Sequence, residues 1–449
     1  MRALSGLMFF PRGGSAQVAR SLAGELPGQG WDVTLVSGSL GSGQGDARDF
    51  YAGLDVHAVD FEAGDAPMHP SYEDRPGAPD PCFAAVDDDA YREHVAAWRL
   101  ALERAGAASA DVLHLHHLTP LNEAAALVAP GVPVVGHVHG TELMMLERIS
   151  AGAPLEWTHA DAWARRMRRW AQRCERLILL ADSQLTRAVA MLGVDPAACV
   201  VIGNGFDAER FRPAAVDRGE LWRRQLAERP GGWRPGEAAG SVAYTPEQAG
   251  RLADRVVLVA VGRFTEVKRL PLLVAAFERA RRVARQPAAL VLIGGYPGEW
   301  EGEHPLEAIE RIGAQDVYLA GWHDHDALPE FLNAADVQVL ASVREQFGLV
   351  LVEGMACGLP SIAIDAFGPA AIVDDGETGW LVPPDDEAAL AGAIASAIDD
   401  GEERSRRGLA ARRAASERWT WPALAGDVAQ VLGEAAGVRG GRVTGAPSS

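Results

Sequence analysis

Cysteine is scarce, with four residues in 449 (Cys82, Cys174, Cys199, Cys357) and no CxxC spacing. Neither a disulfide framework nor a zinc finger is supported, and a reducing cytoplasm fits this usage. Long apolar runs are missing too: the longest, such as Val256 to Val261, are strand-length and fall well short of the ~20 residues a membrane-spanning helix needs. Met1 to Phe10 lacks the basic start, long apolar stretch and cleavage site of a secretory signal, so export is not expected. Positive charge is in deficit. The 42 Lys and Arg against 61 Asp and Glu give −19, with pI near 5.1. That sign disfavours a surface for nucleic acid or anionic lipid unless positive residues gather locally. No internal repeat is found.

What is present is the composition of a globular protein, 48% hydrophobic and 23% charged, in a chain long enough for two or three domains. Apolar strand-like runs alternate with longer helix-like runs, which predicts an α/β fold with parallel sheets covered by helices on both faces. Trp31 to Ser37, Asp111 to Leu115 and Val132 to Val138 read as strands of the first half, and Gln17 to Leu26 as its first helix. Val256 to Gly262, Leu290 to Gly294, Val317 to Gly321, Val337 to Ala341 and Ser361 to Ile364 repeat the rhythm, so two sheets are expected. Arg229 to Gly250 holds PGGW, PGE and TPEQ without sustained period and reads as a linker or insertion, placing a boundary within 212–250. Gly38 to Gly45 reads as a mobile loop, Gly64 to Pro81 as a surface stretch, and Gly437 to Ser449 as a disordered tail.

The strongest chemical constellation follows the strand-like VQVLAS and runs VREQFGLVLVEGMACGLP. Glu345 sits in the turn, Gly348 opens a helix, and Glu353 lies eight residues beyond Glu345. That helix is apolar on most sides (Leu349, Val350, Leu351, Val352, Met355, Ala356), so an ionised carboxylate in it is costly unless something polar meets it. A vicinal diol of a ribose or sugar serves, and so does an arginine from elsewhere. The free N–H groups around Phe347 to Val350 are a natural anion site. A second constellation is VVLVAVGRFTEVKRLPLLVAAF, where a buried strand ends at Gly262 and Arg263 and Lys268 follow in the turn. Two cations at the carboxyl end of a parallel strand suit a diphosphate, although each alone also reads as a solvated charge. Gly13 and Gly14, between a first strand and its helix, let a phosphate or sugar approach the backbone, or simply make a tight turn. VPVVGHVHGTE places His137 and His139 at a strand end.

With these motifs in order, the sequence resembles glycosyltransferase family 4, retaining enzymes of the GT-B fold that use nucleotide-diphospho-sugars. GRFTEVKRLPLLVAAF matches the family's GR…K segment, EQFGLVLVE its E-x7-E motif, and IGNGFDAERFRP its PNGVD segment; VYLAGW, GPAAIVDDGETGWLV and ADSQLTRAVAMLGV also fit. The likeness runs from about Gly13 to Trp421. One departure is Gly203, where the family has proline before the Asn-Gly pair. The resemblance implies two Rossmann-like domains with parallel sheets facing each other across a cleft. Residues 1–211 would form the acceptor-side domain, 212–250 the linker or insertion, 251–420 the nucleotide-sugar domain, and 421–436 a helix packing back on the first domain.

Roles follow by position. Arg263 and Lys268 would neutralise the donor diphosphate, Glu353 would hold the ribose hydroxyls, and Glu345 would face the transferred sugar. Backbone amides at Phe347, Gly348, Leu349 and Val350 would meet sugar hydroxyls and phosphate. Gly13 and Gly14 would let the first loop close over the donor, and His139 matches the family's active-site histidine, with His137 its neighbour. Glu345 is not expected to act as a covalent nucleophile: in the family the donor phosphate is thought to take the acceptor's proton. The implied partners are a nucleotide-sugar donor and a small-molecule or glycan acceptor in the cytoplasm, with no metal, no separate cofactor and no nucleic acid. The donor base is expected near Trp322 and His323. Alternatives on the same framework are a disaccharide synthase or phosphorylase, a sugar-nucleotide hydrolase or epimerase, and a non-catalytic nucleotide-sugar binding protein.

Three features invite other readings. Asp87, Asp88 and Asp89 mimic a DxD metal site or form a solvated acidic turn. His114, His116 and His117 offer a metal cluster with His137 and His139, except that strand alternation separates His116 from His117. WARRMRRWAQRCERL puts Trp163, Met167, Trp170, Cys174 and Leu177 on one helical face with six arginines largely off it. That helix either packs with a charged outer face or docks on a membrane surface.

Overall fold

The computed structural model describes residues 1–11, 13–41, 45–73 and 80–437. Parts of the expected loop at Gly38 to Gly45 and of the Gly64 to Pro81 stretch, and all of the expected tail beyond Gly437, lie outside the described residues. The chain divides into two compact units, one of residues 1–204 with 421–449 and one of residues 205–420.

The first unit is built on seven strands: β1 (Arg2–Leu7), β2 (Asp32–Ser39), β3 (Asp55–Asp60), β4 (Val112–His116), β5 (Val134–His137), β6 (Arg176–Leu179) and β7 (Cys199–Val201). They run parallel in the order β3-β2-β1-β4-β5-β6-β7. Alternation along β4 sends Leu113 and Leu115 to one face, against Trp98, Leu102 and Leu121. Val112 points to the other face with Val135 and Ile178, against Val18 and Leu22 of helix Gly14–Glu25. The same face is closed by helix Trp421–Ala435, whose Leu424, Val428 and Leu432 recur at every fourth position and are buried. Each such burial stabilises the unit by roughly 2 kcal/mol.

The second unit holds β8 (Val256–Val261), β9 (Ala288–Ile293), β10 (Val317–Gly321), β11 (Val337–Leu340), β12 (Ser361–Ile364) and β13 (Gly379–Val382), parallel in the order β10-β9-β8-β11-β12-β13. Strand order reverses between β1 and β4 in one sheet and between β8 and β11 in the other. The loops leaving such a pair splay apart at the carboxyl ends, which is where open α/β sheets take ligands.

Residues 212–250 are not a free connector. Trp222, Leu226 and Trp233 are fully buried in the second unit, and the Trp233 indole donates to the Gly295 carbonyl at 2.9 Å. Gly231 bridges to Gly321 of β10, and a Cβ at Gly232 would stand 2.6 Å from the Leu319 carbonyl oxygen. The glycines that read as linker composition are there because backbone lies on backbone along this sheet edge, which the segment covers.

Candidate active site

In the second unit the two loops at the strand-order reversal meet. Val343 N–H donates to the Val267 carbonyl at 3.0 Å, tying the loop after β11 to the loop after β8. Across that tie Lys268 Nζ forms an ion pair with Glu345 Oε2, both side chains about one-fifth exposed. The lysine stem lies over Gly262, where a Cβ would come within 3.3 Å of Lys268 Cε. Arg263 follows at an exposed position. Lys268 is the chain's only lysine; its other 41 basic residues are arginine.

Gly348 caps the next helix, Leu349–Ala356, at φ 101°, a conformation glycine adopts without penalty. The cap turns the chain so that Phe347 and Gly348 are buried and the N–H groups of Leu349 and Val350 open the helix. The helix is seated by Gln338 of β11, whose Nε2 donates to the Leu351 carbonyl at 2.7 Å and to Ser361 Oγ at 2.8 Å. A Cβ at Gly354 would lie 2.1 Å from Gln338 Oε1. Gly354→Ala is therefore expected to destabilise the protein by about 1–3 kcal/mol through overpacking. Urea unfolding checks this, and an unchanged midpoint would mean that Gln338 moves aside freely.

One turn into this helix Glu353 is 3% exposed. Its Oε1 is held by His325 Nε2 at 2.6 Å, from the loop after β10. Burial holds the Glu353 pKa above its ordinary value, and the hydrogen bond and charge of His325 offset only part of that rise. For His325, burial opposes the charged form, and the hydrogen bond and charge of Glu353 more than offset it, so its pKa lies above the ordinary value. Neither His325 nor Gln338 was marked by the sequence. The first lies 28 residues from its partner in a turn with two other polar groups, and nothing in its spacing gives that reach.

In the first unit Gly13 caps helix Gly14–Glu25 at φ 76°, and neither Gly13 nor Gly14 has an atom within 4 Å of where a Cβ would be. His139 is 9% exposed and belongs to a buried column of imidazoles. His116 Nδ1 meets His139 Nε2 at 3.0 Å and His114 Nε2 meets His137 Nδ1 at 3.2 Å. Burial, and then their neighbours' charges, lower the pKa values of His116, His137 and His139 well below the ordinary one, and burial takes His114 to about 4. His117, just past the end of β4 at φ 66°, packs its ring 4.5 Å from that of His139, and its Nδ1 meets the buried carboxylate of Glu142 at 2.7 Å.

Ring nitrogens of His114, His116 and His137 lie within 4.8 Å of one another. Yet His137 stacks on His139 at 8° and on His116 at 21°. Lone pairs lie in the ring plane, so stacked rings aim them side by side rather than at one point. Each hydrogen bond takes one nitrogen from each ring, which leaves His114 Nδ1, His116 Nε2 and His137 Nε2 buried without a hydrogen-bond partner among the described residues. The arrangement is a hydrogen-bonded column.

The acidic run has structural partners. Asp87 accepts from the N–H groups of Asp89 and Ala90 at the start of helix Asp88–Arg104, Asp88 pairs with Arg166, and Asp89 with Arg92. Helix Ala160–Arg173 buries Trp163, Met167 and Trp170 within the unit, and ends before Cys174 and Leu177. Arg166 lies over the Tyr91 ring at 3.8 Å, while Arg169 and Arg173 pair with Glu123. Its apolar face is thus already covered. Among the described residues no helix is long and apolar enough to cross a membrane.

Two parallel sheets, each with its strand order reversing beside a loop cluster of this kind, define the GT-B class. HepE from Anabaena in complex with UDP superposes with a TM-score of 0.67 at 20% identity over 97% of this chain and all of that one. The description "Glycosyltransferase Family 4" matches residues 12–210, and "Glycosyl transferases group 1" matches residues 245–414. Glycogen synthase of Mycobacterium tuberculosis is 30% identical over 327 residues, 72% of this chain and 68% of that protein. The D-inositol 3-phosphate glycosyltransferase 2 of Catenulispora acidiphila is 30% identical over 265 residues, 57% of this chain, and the match spans only 55% of that relative's length. The chain belongs to glycosyltransferase family 4.

Proposed function

We propose that this chain is a retaining glycosyltransferase that moves a hexose from a nucleotide-diphospho-sugar to an acceptor hydroxyl. The observation that carries the reading is the Lys268–Glu345 pair at the strand-order reversal, on the loop that leads into the helix of the buried Glu353. Lys268 and Arg263 bind the diphosphate, Glu353 accepts from the ribose hydroxyls, and the opening N–H groups of helix Leu349–Ala356 face the sugar and phosphate. The bond from the sugar's anomeric carbon to phosphate breaks, the acceptor oxygen bonds to that carbon, and the acceptor's proton passes to the leaving diphosphate. Fixed positive charge stabilises that leaving group, so transfer is expected to persist in excess EDTA.

HepE, a protein of this fold, was solved with UDP and with UDP-glucose, which makes UDP-glucose the first donor to try. The test is thermal shift across UDP-, GDP-, ADP- and TDP-sugars with wild type and Glu353→Ala, since ligand bound at 100 times its Kd stabilises by about 2.7 kcal/mol. One sugar nucleotide is expected to raise Tm in the wild type and not in the variant. Stabilisation by none would sink the reading.

A further inference from the structure

The contact between His325 and Glu353 belongs to no role given so far. Glu353 sits in an apolar helix, 3% exposed, and among the described residues His325 Nε2 is the only hydrogen-bond partner of its carboxylate. At 2.6 Å the bond is as short as charge-assisted bonds are. It reaches Oε1 alone; Oε2 makes no hydrogen bond among the described residues. His325 is itself held in place: the Phe211 ring flanks it at 5.1 Å, and the Arg210–Asp326 ion pair lies beside it.

We propose that His325 is a positioning residue for donor recognition: by holding Oε1 it fixes the Glu353 carboxylate in one orientation, with Oε2 presented to the donor's ribose hydroxyls. The inference rests on the reading of Glu353 as the ribose site. A carboxylate on an apolar helix has two freedoms that weaken it as an acceptor. It rotates, and it takes up a proton, which turns one acceptor oxygen into a donor. One N–H from a separate loop stops the rotation and opposes the protonation that burial favours.

The charged and titratable groups facing the pair give the pH consequence its sign. Burial raises the Glu353 pKa; His325 lowers it first, and Arg210 adds to that. Asp326 favours the protonated His325 and Arg210 opposes it. Cys357, the remaining neighbour of Glu353, has its thiol pushed up to about 12, chiefly by burial, and stays neutral. The pair titrates jointly. Donor affinity therefore falls on the acid side, where the carboxyl takes its proton, and without His325 that fall begins at higher pH.

The probe is whichever of UDP, GDP and ADP binds the wild type, together with its 2′,3′-dideoxy analogue, titrated calorimetrically from about pH 5 to 8. His325→Ala is expected to weaken the diphosphate about tenfold at pH 7 and to move the acid limb upward. It should change the dideoxy analogue's affinity little, because the lost contact is read through the ribose hydroxyls. His325→Gln, which keeps an N–H donor, is expected to recover most of the neutral-pH affinity. Equal losses for both ligands, or wild-type affinity with an unmoved acid limb, overturn the inference while the ribose reading stands, provided that Glu353→Gln weakens binding. Unchanged binding in Glu353→Gln, or no binding to wild type, overturns the ribose reading itself and the inference with it.

Discussion

Lys268→Ala is expected to lower turnover at least ~10²-fold, and Lys268→Arg to recover little of it. The alanine change removes a fixed positive charge from beside the leaving diphosphate, and that much rate corresponds to about 2.7 kcal/mol of transition-state stabilisation. The arginine change tests something sharper. A sequence that uses arginine for 41 of its 42 basic residues and lysine once has kept the amine where the two differ in shape. The lysine stem runs flat over Gly262 and ends as a compact point charge against Glu345. A planar guanidinium with its fixed fork would overshoot that partner or collide with the strand end. The check is steady-state turnover with the donor found by thermal shift: near-normal turnover in the alanine variant means the diphosphate is held elsewhere, and near-normal turnover in the arginine variant means that charge, not the shape of the amine, is what the site needs. The uniqueness of this amine gives an independent test. Amine-selective acylation reaches Lys268 and the α-amino group alone, so bound donor should protect activity from it.

Acidification is expected to destabilise the first unit steeply between about pH 6.5 and 4. Burial lowers His69, His94 and His114 to about 4, and it holds His116, His137 and His139 well below the ordinary value. A histidine depressed in the folded state and ordinary when unfolded lets the unfolded chain bind its proton first. The stability it contributes is complete above the ordinary value of 6.5 and is lost as pH falls toward the folded value. Each such histidine contributes about 1.4 kcal/mol per pH unit once the unfolded chain is protonated. Calorimetric unfolding at pH 7, 6 and 5 should show a falling Tm. A flat Tm would mean that these rings are hydrated or already charged.

The sheets were legible because period-two and continuous apolar runs mark strands wherever they lie, as at Val256 to Val261 and Ser361 to Ile364. Glu345, Glu353 and Lys268 were legible because they fall at loop and helix positions that strand ends define. What was hidden depends on distance along the chain. Lys268 and Glu345 are 77 residues apart and His325 and Glu353 are 28 apart, and no local pattern encodes either meeting. The segment 212–250 left linker and insertion undecided for a related reason. Glycine there marks close approach to β10, and composition alone does not separate a tight contact from a flexible tether.

The helix Trp421–Ala435 closes a sheet face whose other parts all lie before residue 205. On the ribosome this order has a cost. At about 5–20 residues per second, residues 205–420 take on the order of 10–40 s to emerge. Throughout that time Val112, Val135 and Ile178 wait with one side of their groove open. The nascent first unit is sticky for the whole synthesis of the second, and chaperones or early folding of the second unit must bridge the gap. A chain cut short before Trp421 would keep that exposed groove for good.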